Sequence, residues 1–172
     1  MSDEVGSLKL NLGCGRDKIP GFVNVDLAKA GPDVSWDLEQ YPWPFSNGSA
    51  SEVLLKHVVE HIRDLIPFMN ELWRVCAPHA IVRIECPYYL HHRAVMDPTH
   101  VRYICEASFQ YFNQDWLRWV GLMQYDILAN FKINEISYRY APEWADKPDK
   151  DFFRQHYANV VEDIFFILEA IK

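Results

Sequence analysis

At 172 residues the chain is long enough for one domain around one hydrophobic core, and 49% apolar against 24% charged residues is the balance of a folded globular protein. Its 24 acidic and 17 basic residues leave a formal charge of −7, which argues against nucleic acid as partner, because neutralising a phosphate backbone takes a surplus of lysine and arginine. The cysteines at 14, 76, 86 and 105 show no pairing or metal-type spacing, the start Met-Ser-Asp-Glu has no signal-peptide character, and no apolar run is long enough to span a bilayer. A cytoplasmic protein with reduced thiols and no membrane partner is expected.

In chain order, residues 1–7 read as a short disordered lead. Leu8 to Leu12 alternates as a strand and breaks into Gly13-Cys14-Gly15, and a second strand runs from Phe22 to Leu27 with Asp26 near its end. Glycines let a backbone bend sharply and approach a ligand, and a carboxylate at the end of the next strand can accept from a ribose. Only Gly13 to Gly21 separates the two strands, leaving room for a single helical turn at most. After the connection Ala28 to Asp33, a third apolar run from Val34 to Leu38 carries Asp37. Prolines extend Tyr41 to Phe45, and Ser46-Asn47-Gly48-Ser49 is turn chemistry.

Glu52 to Val58 reads as a buried strand that passes directly into a helix from Glu60 to Cys76, with Ile62, Leu65, Ile66, Met69, Leu72 and Trp73 at helical spacing and Pro78 as its stop. Ala80 to Cys86 is the next strand, ended by Pro87. Tyr88 to Cys105 forms a loop rich in His, Asp and Tyr, and Glu106 to Leu122 is predicted helical. Phe131 to Tyr140 alternates as a strand, Ala141 to Asp151 is a charged loop, Phe152 to Asn159 a helix, and Glu162 to Ile171 a buried strand by its Phe165 to Leu168 run. Strands alternating with helices predict one α/β domain over residues 1–172 with a mostly parallel sheet. Ligands of such sheets sit at the carboxyl ends of the strands, where Gly13, Gly15, Asp26, Asp37 and His57 all fall.

Asn11-Leu12-Gly13-Cys14-Gly15, Gly21 to Asp26, Asp37-Leu38, His57-Val58-Val59-Glu60-His61-Ile62 and Asp97-Pro98-Thr99-His100 followed by Ser108-Phe109 together resemble the class I S-adenosylmethionine-dependent methyltransferases, closest to a small type 11-like group. The resemblance runs from about Leu8 to Phe112. It implies a Rossmann-like sheet, mostly parallel with an antiparallel last strand, and S-adenosylmethionine as cofactor. It further implies that Gly13 to Gly15 border the methionine part, that Asp26 accepts from the ribose, that Asp37 and Leu38 flank adenine, that His57 lies beside the methyl group, and that Asn11 and Leu27 belong to the cofactor site.

Other fingerprints fit less well: a dinucleotide site wants glycine where Lys18 stands, no P-loop Gly-Lys-Ser/Thr occurs, and base methylases carry Asn/Asp-Pro-Pro-Tyr/Phe where this chain has His57-Val58-Val59-Glu60. Compared with the common class I pattern, helices before the first strand and after the first two are missing or reduced. The face they would cover must then be covered by segment 88–130 or by a second subunit, so a homodimer is expected.

Methyl transfer from a sulfonium needs alignment and, for a hydroxyl acceptor, removal of a proton. His92 or His100 is the candidate base with Asp97 as orienter, the alternative being that Asp97-Pro98-Thr99 only caps a turn. Glu60 and His61 read as the start of the helix. A metal-dependent hydrolase built on His57, His61, His91, His92, Asp97 and His100 is conceivable, but it leaves the glycine loop and Asp26 unexplained, so no metal is expected. A cofactor-binding module without catalysis is the remaining alternative. The acidic charge and absent base-methylase motif favour a small-molecule or saccharide hydroxyl as acceptor.

Overall fold

The computed structural model describes residues 7–27 and 31–172. Seven strands, β1 Leu8–Leu12, β2 Val23–Asp26, β3 Val34–Ser35, β4 Ala50–Lys56, β5 Cys76–Pro87, β6 Phe131–Tyr140 and β7 Val161–Ala170, form one sheet in the order β3-β2-β1-β4-β5-β7-β6. β3, β2, β1, β4 and β5 pair in parallel, while β7 is inserted antiparallel to both β5 and β6. The expected α/β sheet with an antiparallel last strand is thus present. Part of the Ala28 to Asp33 connection and most of the expected lead lie outside the described residues.

Among the described residues the α-helices all follow β4: α1 Leu65–Val75 between β4 and β5, α2 His92–Met96 and α3 Gln114–Val120 between β5 and β6, and α4 Lys150–His156 between β6 and β7. Alternation along the strands buries Leu10, Leu12, Val53, Leu55, Val82, Ile84, Phe166 and Leu168. Against them lie Phe68, Met69, Leu72 and Val75 of α1, and Phe109, Phe112 and Leu117 of the long crossover, with Phe109 edge-on to Phe166 at 4.8 Å. Asn70 of α1 holds the end of that crossover by accepting from the Leu128 and Ala129 N–H groups at 2.8 and 2.9 Å. Segment 88–130 therefore covers the same face as α1.

Of the two covers expected for the other face, segment 88–130 or a second subunit, the first is thereby corrected. That second face shows alternate positions of the same strands, and they are mostly charged: Lys9 pairs with Glu52 at 3.1 Å, Glu52 with Arg83 at 3.2 Å, Lys56 with Asp17 at 3.6 Å and Arg139 with Glu85 at 2.8 Å. A groove of about 570 Å³ there is lined by Leu54, Phe165 and Ile167 together with Lys56, Arg83 and Glu85. A sheet face of this composition tolerates water, as half-solvated sheets do.

Local boundaries shift for identifiable reasons. The helix expected from Glu60 begins at Leu65, because Asp64 takes the N-cap role and accepts from Ile66 N–H, while residues 57–64 form a loop across the strand ends. Pro78 lies within β5, at a register irregularity between the Ala50/Cys76 and Glu52/Ile81 pairs, where a missing N–H costs no ladder bond. Of the expected helix 106–122, only a 3-10 turn at Gln110–Phe112 and α3 are helical. Asn113 interrupts it by capping α3 through Trp116 N–H, and Gly121 closes α3 in the left-handed conformation. α4 is set two residues earlier than its expected start at Phe152.

Candidate active site

The carboxyl edge of β1 and β2 carries the glycine loop. Gly13 and Gly15 have φ of +67° and +52°, the left-handed region that side chains disfavour. A Cβ on Gly13 would also overlap Val58 Cγ2. Gly13 and Cys14 N–H groups donate to the Val25 carbonyl at 2.8 and 3.1 Å, and Gly15 N–H donates to Asp26 Oδ2 at 2.7 Å. The acid and the turn are therefore one unit. Burial, helped by Asp26, pushes the Cys14 thiol up, away from the thiolate form.

With no helix after β1, the loop is held by a buried amide. Asn24 Oδ1 accepts from Asn11 Nδ2 and from Ile19 N–H, each at 2.9 Å, while its backbone and side-chain nitrogens both donate to Asp33 Oδ2 at 2.8 Å. These bonds hold the Asp33 carboxyl below the usual carboxylate range. Asn11 spends its second amide hydrogen on the Asp17 carbonyl, so it props the loop from beneath. Leu27 is exposed beside Asp26. Asp37 folds its Oδ1 onto Glu39 N–H at 2.9 Å, and Leu38 is buried with its carbonyl accepting from Trp43 Nε1.

At the end of β4, His57 has a φ of +54°, a conformation costly for a residue with a Cβ, and its N–H donates to the Glu85 carbonyl. Its Nδ1 lies 3.3 Å from Glu60 Oε1, and the Glu60 carboxylate holds the imidazolium above its ordinary range. From there a cavity of about 260 Å³ opens beyond β4 and β5, lined by His57, Glu60, His61, Pro87, Arg93, Met96, Asp97 and His100. The two loops that form it are stitched together: Val101 N–H donates to the Glu60 carbonyl at 2.9 Å, and the Arg102 guanidinium donates to the Ile62 and Arg63 carbonyls.

His100 Nδ1 is 3.0 Å from the Ala94 carbonyl and its Nε2 is 3.9 Å from Asp97 Oδ2. Ala94 thus orients the ring, the part expected of Asp97. Asp97 does two things, closing a turn through Oδ1 on Thr99 N–H and Oγ1 at 2.8 and 2.6 Å and facing the cavity with Oδ2; the Thr99 bonds hold its carboxyl low. The structure thus brings His57, Asp97 and His100 together. His92 is placed elsewhere: it is exposed, and its backbone N–H and Nδ1 both meet Asn159 Oδ1. Glu60 and His61, read from sequence as the helix start, prove to be cavity walls, as does Arg93. Two histidine-bearing stretches at the ends of adjacent strands were the available signal.

No protein-family model and no curated protein matches the chain. Solved structures do. A SAM-dependent methyltransferase from Archaeoglobus fulgidus superposes with a TM-score of 0.62 at 13% identity, covering 97% of this chain and 87% of that one. The chain has the class I methyltransferase fold. A SAM-dependent methyltransferase from Mesorhizobium loti shares this class I fold at a TM-score of 0.59 and 12% identity, covering 96% and 92% of the two chains. So does the [4+2]-cyclase SpnF, at 0.58 and 12%, covering 98% of this chain and 76% of its own. The Gly13 loop, Asp26, Asp37 and His57 all lie at or just after the carboxyl ends of parallel strands of this sheet, and of these His57 lines the histidine cavity.

Proposed function

We propose that the protein transfers a methyl group from S-adenosylmethionine to a small-molecule or saccharide acceptor, most simply at a hydroxyl. The observation that carries this reading is the unit formed by the two left-handed glycines and Asp26, set one strand away from a polar cavity. In this reading the loop Gly13 to Gly15 borders the methionine portion, Asp26 with Leu27 takes the ribose, and Asp37 and Leu38 bound the adenine. Asn11 supports the loop. His57 stands where the edge meets the cavity, beside the methyl group.

The acceptor enters the cavity, where the fold's task is to line up its oxygen with methyl and sulfur and to exclude water. His100 presents an Nε2 lone pair to an acceptor hydroxyl and Asp97 helps hold it; His92, the other histidine expected to act as base, lies away from this cavity. The test is turnover of methyl-labelled S-adenosylmethionine against panels of saccharides and small hydroxylated metabolites. Labelled product that disappears in His100→Ala supports the reading. Binding of the cofactor without product from any panel favours a binding module or another reaction on this fold, as the SpnF comparison illustrates.

We further propose a cytoplasmic location and a homodimer that joins the groove at Leu54, Phe165 and Ile167 to its copy; among the described residues no helix is long and apolar enough to cross a membrane. Light scattering in dilute solution tests the dimer, and a 20.2 kDa mass contradicts it.

A further inference from the structure

Beside His100 the cavity holds a buried carboxylate and a second imidazole that the methyl-transfer reading leaves without a role. Glu60 is 2% exposed, and neither of its carboxylate oxygens has a hydrogen-bond partner. The His57 ion pair at 3.3 Å reaches Oε1 and leaves Oε2 without a partner among the described residues. A buried carboxylate met by one imidazole at one oxygen has room for a further positive partner at the other. Two imidazoles converge on it: Glu60, His61 and His100 each bring one ligand atom to within 4.8 Å of the others.

Hydrogen bonds fix the tautomers of both rings. The Ala94 carbonyl can only accept, so His100 carries its proton on Nδ1 and keeps the lone pair on Nε2. Thr99 Oγ1 gives its single hydrogen to Asp97 Oδ1 at 2.6 Å, so at 3.0 Å from His61 Nδ1 it can only accept, as can the Thr99 carbonyl at 3.3 Å. His61 is therefore also an Nδ1–H tautomer with a lone pair on Nε2. A ring N–H donated to a backbone carbonyl is the support that metal-ligating histidines receive.

We propose that Glu60, His61 and His100 bind a divalent first-row transition cation, with Asp97 Oδ2 at the rim of the group, 3.9 Å from His100 Nε2. Two imidazoles and a carboxylate suit zinc or manganese and not calcium or magnesium, which prefer an all-oxygen shell. The other convergent group, His57 with Glu85 and Asp163, is unsuited because Arg139 already occupies both carboxylates at 2.8 and 2.6 Å. The ion's role in catalysis rests on the methyltransferase reading: it would hold and acidify the acceptor oxygen, with His100 a ligand in place of a base. Its binding does not.

The experiment is calorimetry on chelator-treated, dialysed protein titrated with zinc chloride, manganese chloride and, as control, magnesium chloride. The expected result is one zinc or manganese per chain, weakened at least about tenfold in Glu60→Gln, His61→Ala and His100→Ala and unchanged in His92→Ala. Circular dichroism melts verify folding, and His61→Ala, changed at a partly exposed ring, serves if Glu60→Gln does not fold. Absence of saturable binding, or binding indifferent to all three substitutions, overturns the site. S-adenosylhomocysteine titrated into the same samples separates the two ideas: its binding without metal binding defeats only the cation site, and metal binding without it defeats the methyltransferase reading.

Discussion

The glycine loop and the histidine cavity occupy one edge of one sheet, yet main chain shapes the first and side chains from two separate stretches shape the second. In the loop, φ values of Gly13 and Gly15 and N–H groups aimed at Val25 and Asp26 set the surface a ligand meets. In the cavity, loop 57–64 contributes His57, Glu60 and His61, segment 93–102 contributes Arg93, Met96, Asp97 and His100, and bonds from Val101 and Arg102 tie one to the other. A site made of backbone fails when an atom is added. A site made of side chains keeps its shape when one is removed and loses its chemistry.

The largest expected effect follows from that contrast. His100→Ala should lower turnover by about 10²- to 10⁴-fold, whether the ring acts on the acceptor directly or through an ion, while affinity for S-adenosylhomocysteine stays within about twofold. Parallel loss of both in steady-state kinetics and calorimetry would merge the two regions into one. Next, Glu71 supplies a control in neither region. Its buried carboxylate accepts from Arg74 Nε and Nη2 at 2.8 and 2.6 Å and from Trp43 N–H at 2.5 Å. Burial pushes its pKa up, but these donors outweigh it and the net shift is downward.

Glu71→Ala should cost about 3 kcal/mol in urea denaturation and leave cofactor affinity intact. Because the folded-state pKa is depressed, the wild-type advantage is fully present above the unfolded carboxylate value of about 4.3 and is lost as pH falls through the folded value. A gap that instead widens in acid would contradict the assignment. Gly13→Ala should cost about 2 kcal/mol through its positive φ and its overlap with Val58, and should weaken cofactor binding as well. His92→Ala should change stability by less than about 0.5 kcal/mol and leave turnover unaltered, as befits an exposed ring outside the cavity.

The same division explains what could be read in advance. β1, β2 and β6 were legible because strand alternation and glycine or proline punctuation are local, and the glycine loop and Asp26 were legible for the same reason. The cavity was legible only in part. His57, Asp97 and His100 carried a visible signal, but Glu60 followed a hydrophobic strand and preceded a helical repeat, so local rules assigned it to a helix N-terminus. Its place as a buried cavity wall joins it to Val101, far along the chain, whose N–H meets the Glu60 carbonyl, and periodicity does not report such a contact. His92 shows the converse: adjacent in sequence to His91, its ring turns to Asn159 beyond β6. The open face misled similarly. Missing helices implied an apolar wall, whereas the side chains on it were Lys9, Glu52, Lys56, Arg83 and Glu85.

Calorimetry with S-adenosylhomocysteine tests the central claim most directly, on wild-type protein and on Asp26→Ala. The account predicts binding at one site per chain and a loss of about 100-fold in the variant, the worth of a charged acceptor's hydrogen bonds to a ribose. Wild-type protein that does not bind, or a variant that binds as tightly, would contradict it.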